Sequence, residues 1–547
     1  MKKLGMIVYG AVFCIAVPVL VVLGCRSLDP VTTLTVPPLP AWVGWSLTGA
    51  GAAAVIAGML ALAIRGGGLP MNGFPPIQLV TGGIYSLLPH PIYCGAVMLC
   101  GGISLIFASA SGLYIFTPLT GLGCAAIVWG FERPDLFHRF GRCGGITALG
   151  TPPMNDDPIR FPRRASSGLF PLLAAWHFVT TLPLAAVHIA VFALLLCQKT
   201  NRTAGALQLK WLAASLLTIL CELTFSIEYA LWFAVGFNLL LLLFGSNLLM
   251  ASYMAAEWIS NSFRAWRMGH FRIINHSIYS FLAAAAGFYL AGALTGGGSL
   301  RALCVVVLFS LLGGAFWAQL IEGSNNLLRP FGFYGAVFGA ILGLLAARWF
   351  TPAGQLWVLF GALATAGPWI QSIGRLRCMV QGCCHGKPIM SPGFHKYGIR
   401  HVNPSSRVCR FTDFSGVPVH ATALYSIALN LVIGWLLAAM WIHHAPAGML
   451  VGLYFSLTGF ARFVEEAWRG EPQTRRFLRL TEYQWLCIGF EFIAFAIWAM
   501  PSSMISLPTP VWHYSYDIAA LAAGALYAFA MSMDFPESGR RFSRLTG

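Results

Sequence analysis

The stretch ATALYSIALNLVIGWLLAAMW, Ala421 to Trp441, runs for 21 residues without a charged side chain. As a helix rising 1.5 Å per residue it would be about 30 Å long, the thickness of a bilayer's hydrocarbon core. Comparable apolar runs recur on both sides of it, at Met6 to Gly24, Trp42 to Ile64, Leu169 to Cys197, Leu303 to Glu322 and Gln484 to Met500. Ile92 to Phe131 is long enough for two spans with a break at Ser109 to Gly112, and Trp211 to Trp258 likewise holds two. The pattern predicts about fourteen spans. In lipid, a backbone that does not close into a barrel satisfies its own polar groups only as helix, so the expected fold class is all-α, a polytopic membrane protein.

Composition agrees. Apolar residues make up 57% of the 547-residue chain and charged residues 10%, with a mean hydropathy of +0.72, where a soluble domain carries roughly a quarter charged residues. The formal net charge of +16 and pI near 9.4 do not point to nucleic acid. The basic residues sit in short loops such as RFPRR and in the tail SGRRFSRLTG, as expected beside an anionic cytoplasmic leaflet. Lys2 and Lys3 place the N-terminus in the cytoplasm by the same rule, and Met6 to Gly24 reads as an anchor rather than a cleaved signal. Fourteen cysteines, mostly within apolar runs, read as small core residues rather than a disulfide framework.

Two polar stretches punctuate the chain. Residues 132 to 168, rich in Arg, Pro and Gly, end a first module (1–168), and residues 169–267 are apolar and poor in motifs. A second module (268–547) is interrupted by the polar stretch Gly374 to Val419, longer than an ordinary connection and therefore expected to be functional.

In the first module, GGIYSLLPHPIYCG (Gly82 to Gly95) leads into a hairpin that closes with WGFERPDLFHRFG (Trp129 to Gly141). His90 falls at the mouth of one span and Glu132 with Arg133 at the end of the next. Such a cluster suits a zwitterionic cofactor, a carboxylate taking its ammonium and an arginine or histidine its carboxylate. The plainer reading is that Pro91 opens a helix and the Glu132–Arg133 pair caps another. Gly83-Ile84-Tyr85, His90-Pro91-x-Tyr93-x-Gly95 and the Glu132 to Gly141 stretch resemble the isoprenylcysteine carboxyl methyltransferase and phospholipid methyltransferase family, over about residues 40–165. The resemblance implies an S-adenosylmethionine site at the cytoplasmic face using His90, Tyr93, Glu132 and Arg133. Pro89 and Arg133 stand where that family has arginine and a second glutamate.

In the second module, RLRCMVQGCCHGKP (Arg375 to Pro388) crowds arginines, cysteines, Gln381 and His385 between apolar runs. VPVHATALY brings His420 and Tyr425 to the start of a span. GFARFVEEAWRGEP spaces Arg462, Glu466 and Arg469 by four and three, on one helix face. Charged residues at span ends commonly snorkel into water. The alternative is a phosphate head-group site, since guanidinium forks bind phosphate oxygens in pairs. Cys378, Cys383, Cys384 and His385 include soft ligands, but C-x4-C-C-H is not a usual structural-zinc spacing, and no metal is expected.

Gly374, Arg375, Gln381 and Gly382, then His420, Leu424 and Tyr425, then Gly459, Arg462, Glu466 and Arg469, and finally EYQWL at Glu482, follow in order the motifs of the prolipoprotein diacylglyceryl transferase family. FGFYGAVFGA at Phe331 is similar to that family's F-H-G-G segment, with Tyr334 at the histidine position, and Tyr279 to its first-helix tyrosine. The resemblance, over about residues 270–500, implies transfer of a diacylglyceryl group from phosphatidylglycerol to a lipoprotein cysteine thiol in the bacterial inner membrane, without a cofactor. It assigns Arg375 and Arg462 to the phosphate, Glu466 to orienting Arg462 or Arg469, and His420 or Tyr334 to proton transfer. Gln381, Arg469, Tyr425 and Tyr279 would bind substrate. Ala421, Ala423 and Ser426 replace family residues, so a related lipid acceptor also fits. Two other functions remain open: a lipid methyltransferase in which only the first module is active, and a non-catalytic lipid-binding or transport protein.

Overall fold

The computed structural model describes residues 11–32, 34–67, 77–88, 90–140, 247–296, 300–321, 332–390, 392–471, 474–500 and 503–537. The chain divides into two units, Met1–Ser246 with Leu478–Leu480, and Asn247–Phe477 with Thr481–Gly547.

In the first unit, α1 (Val17–Leu28), α2 (Ala41–Gly66), α3 (Pro91–Ile106) and α4 (Thr117–Ile127) fall largely on the expected apolar runs, whereas α5 (Arg133–Phe140) lies at the start of the stretch read as a polar connection. Helices α2 and α3 pack against each other along a stripe of glycines. A Cβ on Gly95 would stand 2.6 Å from the Gly51 carbonyl, so only glycine lets the two backbones approach this closely, the usual device for joining helices in lipid. The break expected at Ser109 to Gly112 comes slightly earlier, at 107–109, where Ala108 takes a left-handed φ of 51°.

The second unit opens with α6 (247–260), then strands β1 (Ala265–Met268) and β2 (Phe271–Ile274). Five helices follow: α7 (Ser277–Leu294), α8 (Leu300–Phe316), α9 (Phe333–Ala347) and α10 (Ala353–Gln381), then, after the pair β3 (Gly398–Arg400) and β4 (Pro418–His420), α11 (Thr422–Ile442). Helices α12 (Ala447–Trp468), α13 (Glu482–Trp498) and α14 (Tyr514–Ser532) and strand β5 (Met533–Asp534) come later in the unit. The antiparallel order β1-β2-β5 ties the start of the unit to its end, and Arg272 Nε meets Asp534 Oδ1 at 2.9 Å across it. These short strands are the local departures from an all-α architecture. Helices α10, α11 and α12 pack on one another in all three pairs. Helix α12 is buried along most of its length, which makes it the inner helix of the group.

Among the described residues seven helices are long and apolar enough to cross a membrane, so the chain is a mostly helical, multi-pass membrane protein. The spans expected at Leu169 to Cys197 and over most of Trp211 to Trp258 lie outside the described residues. One expectation needs correction: Gly374 to Gln381, read as the start of a polar connection, is the last part of α10. Its arginines stay on the helix because partners on other elements receive them.

Candidate functional site

Two helix ends meet at one carboxylate, and a third helix supports one of its arginines. Arg375, near the end of α10, sends Nε to Ser426 Oγ of α11 at 3.0 Å and Nη2 to Glu465 Oε1 of α12 at 3.4 Å. Arg462 Nη1 reaches the same oxygen at 2.8 Å, and Arg469 Nε at 3.2 Å. Arg462 Nη2 also contacts Glu466 Oε2 at 2.7 Å. The Glu465 side chain is 4% exposed and that of Glu466 2%. So many charges persist out of water only because they are paired.

Arg375 and Arg462, the pair on which the phosphate reading depends, therefore lie together. Glu466 contacts Arg462, and Arg469 is held by Glu465, with Glu471 3.9 Å from its Nη1. Sequence reasoning passed over Glu465, although its spacings to Arg462 (i, i+3) and Arg469 (i, i+4) are both favourable on a helix. Two buried donors in this region, Arg469 Nη2 and Gln381 Nε2, have no hydrogen-bond acceptor among the described residues.

The chain after α10 folds onto this cluster. Gly386 bridges Arg469 and Pro388 bridges Val419, both antiparallel. Lys387 N–H donates to the Trp468 carbonyl at 2.8 Å, Gly470 N–H to that of His385 at 3.0 Å, and His420 N–H to that of Lys387 at 2.9 Å. A three-segment ribbon thus sets His420 beside the end of α12, its ring centroid 4.8 Å from that of Trp468. The Tyr425 hydroxyl lies 3.5 Å from His420 Nδ1. Burial, reinforced by the Lys387 charge, lowers His420 to about 4, so at neutral pH its imidazole is uncharged and can accept a proton.

Tyr334 is placed less favourably for proton transfer. It is 2% exposed, stacked on Tyr483 with centroids 5.3 Å apart, and its hydroxyl lies 3.5 Å from the Tyr483 carbonyl and from Cys487 Sγ. Arg462 lies over the Tyr483 ring at 5.3 Å, so Tyr334 supports the cluster from behind that ring. Tyr279 packs against the buried cluster of Phe263, Ile274 and Val380, the last of these next to Gln381, and lines a cavity of about 940 Å³ together with Glu257, Asn261, Arg264, Lys396 and Arg400.

In the first unit, His90 caps α3, its ring centroid 5.9 Å from that of Tyr93. The Tyr93 hydroxyl hydrogen-bonds Glu132. Glu132 Oε2 is buried without a hydrogen-bond partner among the described residues, and the Arg133 guanidinium lies 4.2 Å above the Trp129 ring. Burial, with the Arg133 charge adding to it, lowers His90 to about 4. An orphaned carboxylate oxygen, followed one residue later by a guanidinium that has no acidic partner among the described residues, offers the two charges that an amino acid's ammonium and carboxylate would need.

Comparison with known proteins bears on both units. Residues 228–500 match the family model described as prolipoprotein diacylglyceryl transferase. That region belongs to this family. The site built on Arg375, Arg462, Glu465 and Arg469 lies wholly inside the transferase region. Residues 39–142 match the phospholipid methyltransferase model and contain His90, Tyr93, Glu132 and Arg133. The chain is similar to the phosphatidylglycerol–prolipoprotein diacylglyceryl transferase of Clostridium tetani (strain Massachusetts / E88), 24% identical over 177 residues, 31% of this chain and 67% of the relative. It is also similar to phosphatidylglycerol–prolipoprotein diacylglyceryl transferase 2 of Clostridium perfringens (strain 13 / Type A), 25% identical over 188 residues, 32% of this chain and 67% of the relative.

Proposed function

We propose that the second module (268–547) transfers a diacylglyceryl group from phosphatidylglycerol to the thiol of a lipoprotein cysteine or a related acceptor in the bacterial inner membrane. The observation that carries this reading is the convergence of Arg375, Arg462 and Arg469 on Glu465 Oε1 beside unpaired buried donors. Guanidinium groups fixed in this way favour the glycerol phosphate leaving group, whose charge grows as the bond to the lipid breaks. Glu465 and Glu466 hold the forks in place before substrate arrives. His420, neutral at pH 7, takes the acceptor's proton, because the thiolate is the attacking species. Gln381 Nε2 and Tyr425 would contact the donor's glycerol region, and Tyr279 an acyl chain or acceptor segment in the cavity it lines.

The first module (1–168) would add methyl transfer to a lipid or lipidated substrate. S-adenosylmethionine, when bound, supplies an electrophilic methyl group. Glu132 would hold its ammonium and Arg133 its carboxylate, with Tyr93 and His90 fixing that pair. The apolar runs in the remaining parts of the chain would bring the spans to about fourteen.

Purified chain in nanodiscs is incubated with labelled phosphatidylglycerol and a cysteine-containing lipobox peptide, and separately with methyl-labelled S-adenosylmethionine and a total lipid extract. Labelled peptide and released glycerol phosphate are expected in the first assay. Incorporation of neither label would turn the reading to a lipid-binding or transport protein.

A further inference from the structure

The three cysteines set aside on spacing are neighbours in space. Cys378 lies in the last turn of α10, and the helix ends at Gly382, which takes a left-handed φ of 72° while its N–H donates to the Cys378 carbonyl at 2.9 Å. That glycine reversal, common at helix ends, turns the chain back on itself. The Sγ atoms of Cys378, Cys383 and Cys384 all lie within 4.8 Å of one another. Spacing along the chain argued against a metal; the reversal removes that objection.

Cys384 is held in an uncommon conformation to take part. Its φ is 63°, costly for a residue with a Cβ, and such strain persists only where the surroundings enforce it. Here the Cys384 N–H donates to Glu471 Oε1 and the Cys384 carbonyl accepts from Thr422 Oγ1, each at 2.6 Å. Cys383 Sγ lies 3.7 Å from Oε1 of Gln381, a side chain 1% exposed whose Nε2 has no hydrogen-bond partner among the described residues. His385 follows in sequence, but its ring nitrogens lie outside the sulfur triangle.

We propose that Cys378, Cys383 and Cys384 form a three-thiolate site for one thiophilic divalent cation, Zn²⁺ in the first instance, whose fourth coordination position receives the acceptor thiol. Zinc–sulfur bonds of about 2.3 Å place tetrahedral ligand sulfurs ~3.8 Å apart, so side-chain rotations closing the triangle by about 1 Å suffice. Three thiolates leave a divalent ion with one net negative charge, and Arg375 and Arg469, both within electrostatic reach of Cys384, offset it. Three protein ligands with an open position is the arrangement of catalytic rather than structural zinc.

The role of the open position rests on the transferase reading above. An acceptor thiol that coordinates the ion loses its proton outright, to His420 or to water. Its sulfur then attacks the third glycerol carbon of the donor lipid. The carbon–sulfur bond forms as the carbon–oxygen bond to phosphate breaks, and the electron pair leaves with glycerol phosphate against the arginines.

The test uses the full chain, purified anaerobically in nanodiscs under reducing conditions and stripped by a chelator. Zn²⁺ binding is measured by equilibrium dialysis with elemental analysis, and Co²⁺ as a spectroscopic probe by its thiolate charge-transfer absorption. About one ion per chain and a near-ultraviolet band are expected. Both should be lost in Cys383→Ser and Cys384→Ser and retained in Cys409→Ser, whose sulfur instead faces the His401 carbonyl. Absence of bound ion in the parent, binding unaltered by the two site variants, or a disulfide among the three thiols in the anaerobic protein overturns the site. Stripped chain should transfer diacylglyceryl at least tenfold more slowly and recover with Zn²⁺; full transfer without metal overturns the acceptor role. Stoichiometric Zn²⁺ with no transfer under any condition refutes the transferase reading and leaves the metal site standing.

Discussion

Arg375 of α10 and Glu465 of α12, 90 residues apart in the chain, meet at 3.4 Å through a carboxylate oxygen that also receives Arg462 and Arg469. One buried carboxylate thus restrains three guanidinium groups. Its removal leaves three positive charges facing one another out of water. Glu465→Ala is expected to destabilise the protein by about 3–5 kcal/mol, the usual cost of stranding a buried charge. Thermal unfolding in detergent followed by intrinsic fluorescence checks this, and a midpoint equal to that of the parent would refute the hub role.

Arg462→Lys keeps the charge but loses the fork that grips Glu465 and Glu466 with two different nitrogens. Transfer is expected to fall by ~10²-fold, the scale for loss of one fixed donor to a developing anion. The decline should lie mainly in kcat, measured by glycerol phosphate release. A change confined to KM would assign Arg462 to ground-state binding alone.

His420 titrates near 4 in the folded protein, below the ordinary histidine value of about 6.5. The unfolded chain therefore binds the proton more readily, and this residue's contribution to stability is present above about pH 6.5 and is lost as pH falls towards 4. Transfer should follow the same sign, level between pH 6 and 8 and falling below pH 5 as the imidazole charges. In His420→Gln the acid limb should vanish together with most of the rate; a limb that persists in this variant belongs to another group.

Glu132→Gln replaces the orphaned carboxylate of the first unit with a neutral amide. Affinity for S-adenosylmethionine, measured by calorimetry on the full chain, should drop at least tenfold through loss of a charge-assisted contact. Unchanged affinity would return Glu132 to the plainer role of capping a helix end.

Gly382→Ala places a methyl group at a left-handed φ of 72° and directly against Ser406 Oγ. A loss of about 1–2 kcal/mol is expected from the backbone and the clash together. Labelling with a thiol-bridging arsenical should weaken as well, because the reversal that gathers the cysteines is disturbed.

Much of this was legible in the residues. Apolar runs gave the helices because length and the absence of charge decide that question in lipid, and the four-and-three spacing of Arg462, Glu466 and Arg469 gave the charged face of α12. Glu465 was missed because adjacent helical residues point about 100° apart, so choosing Glu466 for the face seemed to exclude its neighbour. A three-way hub accommodates both. Neither the meeting of Arg375 with Glu465 nor the thiol triangle has a local signature. The first depends on how three helices pack, and the second on a chain reversal whose visible sign was the single glycine after Gln381. The packing of Tyr279 against Phe263, Ile274 and Val380 likewise has no local signature.

The backbone bonds joining Gly386 to Pro388 with Trp468 to Gly470 on one side and Val419 to His420 on the other make that ribbon a fixed floor beneath the arginines. Lifting it would break several ladder bonds and pull on two helix ends at once. A swinging flap is therefore the wrong picture for this end of the protein. The ribbon should therefore hold its place through the reaction, and cross-linking it to α12 should leave turnover intact.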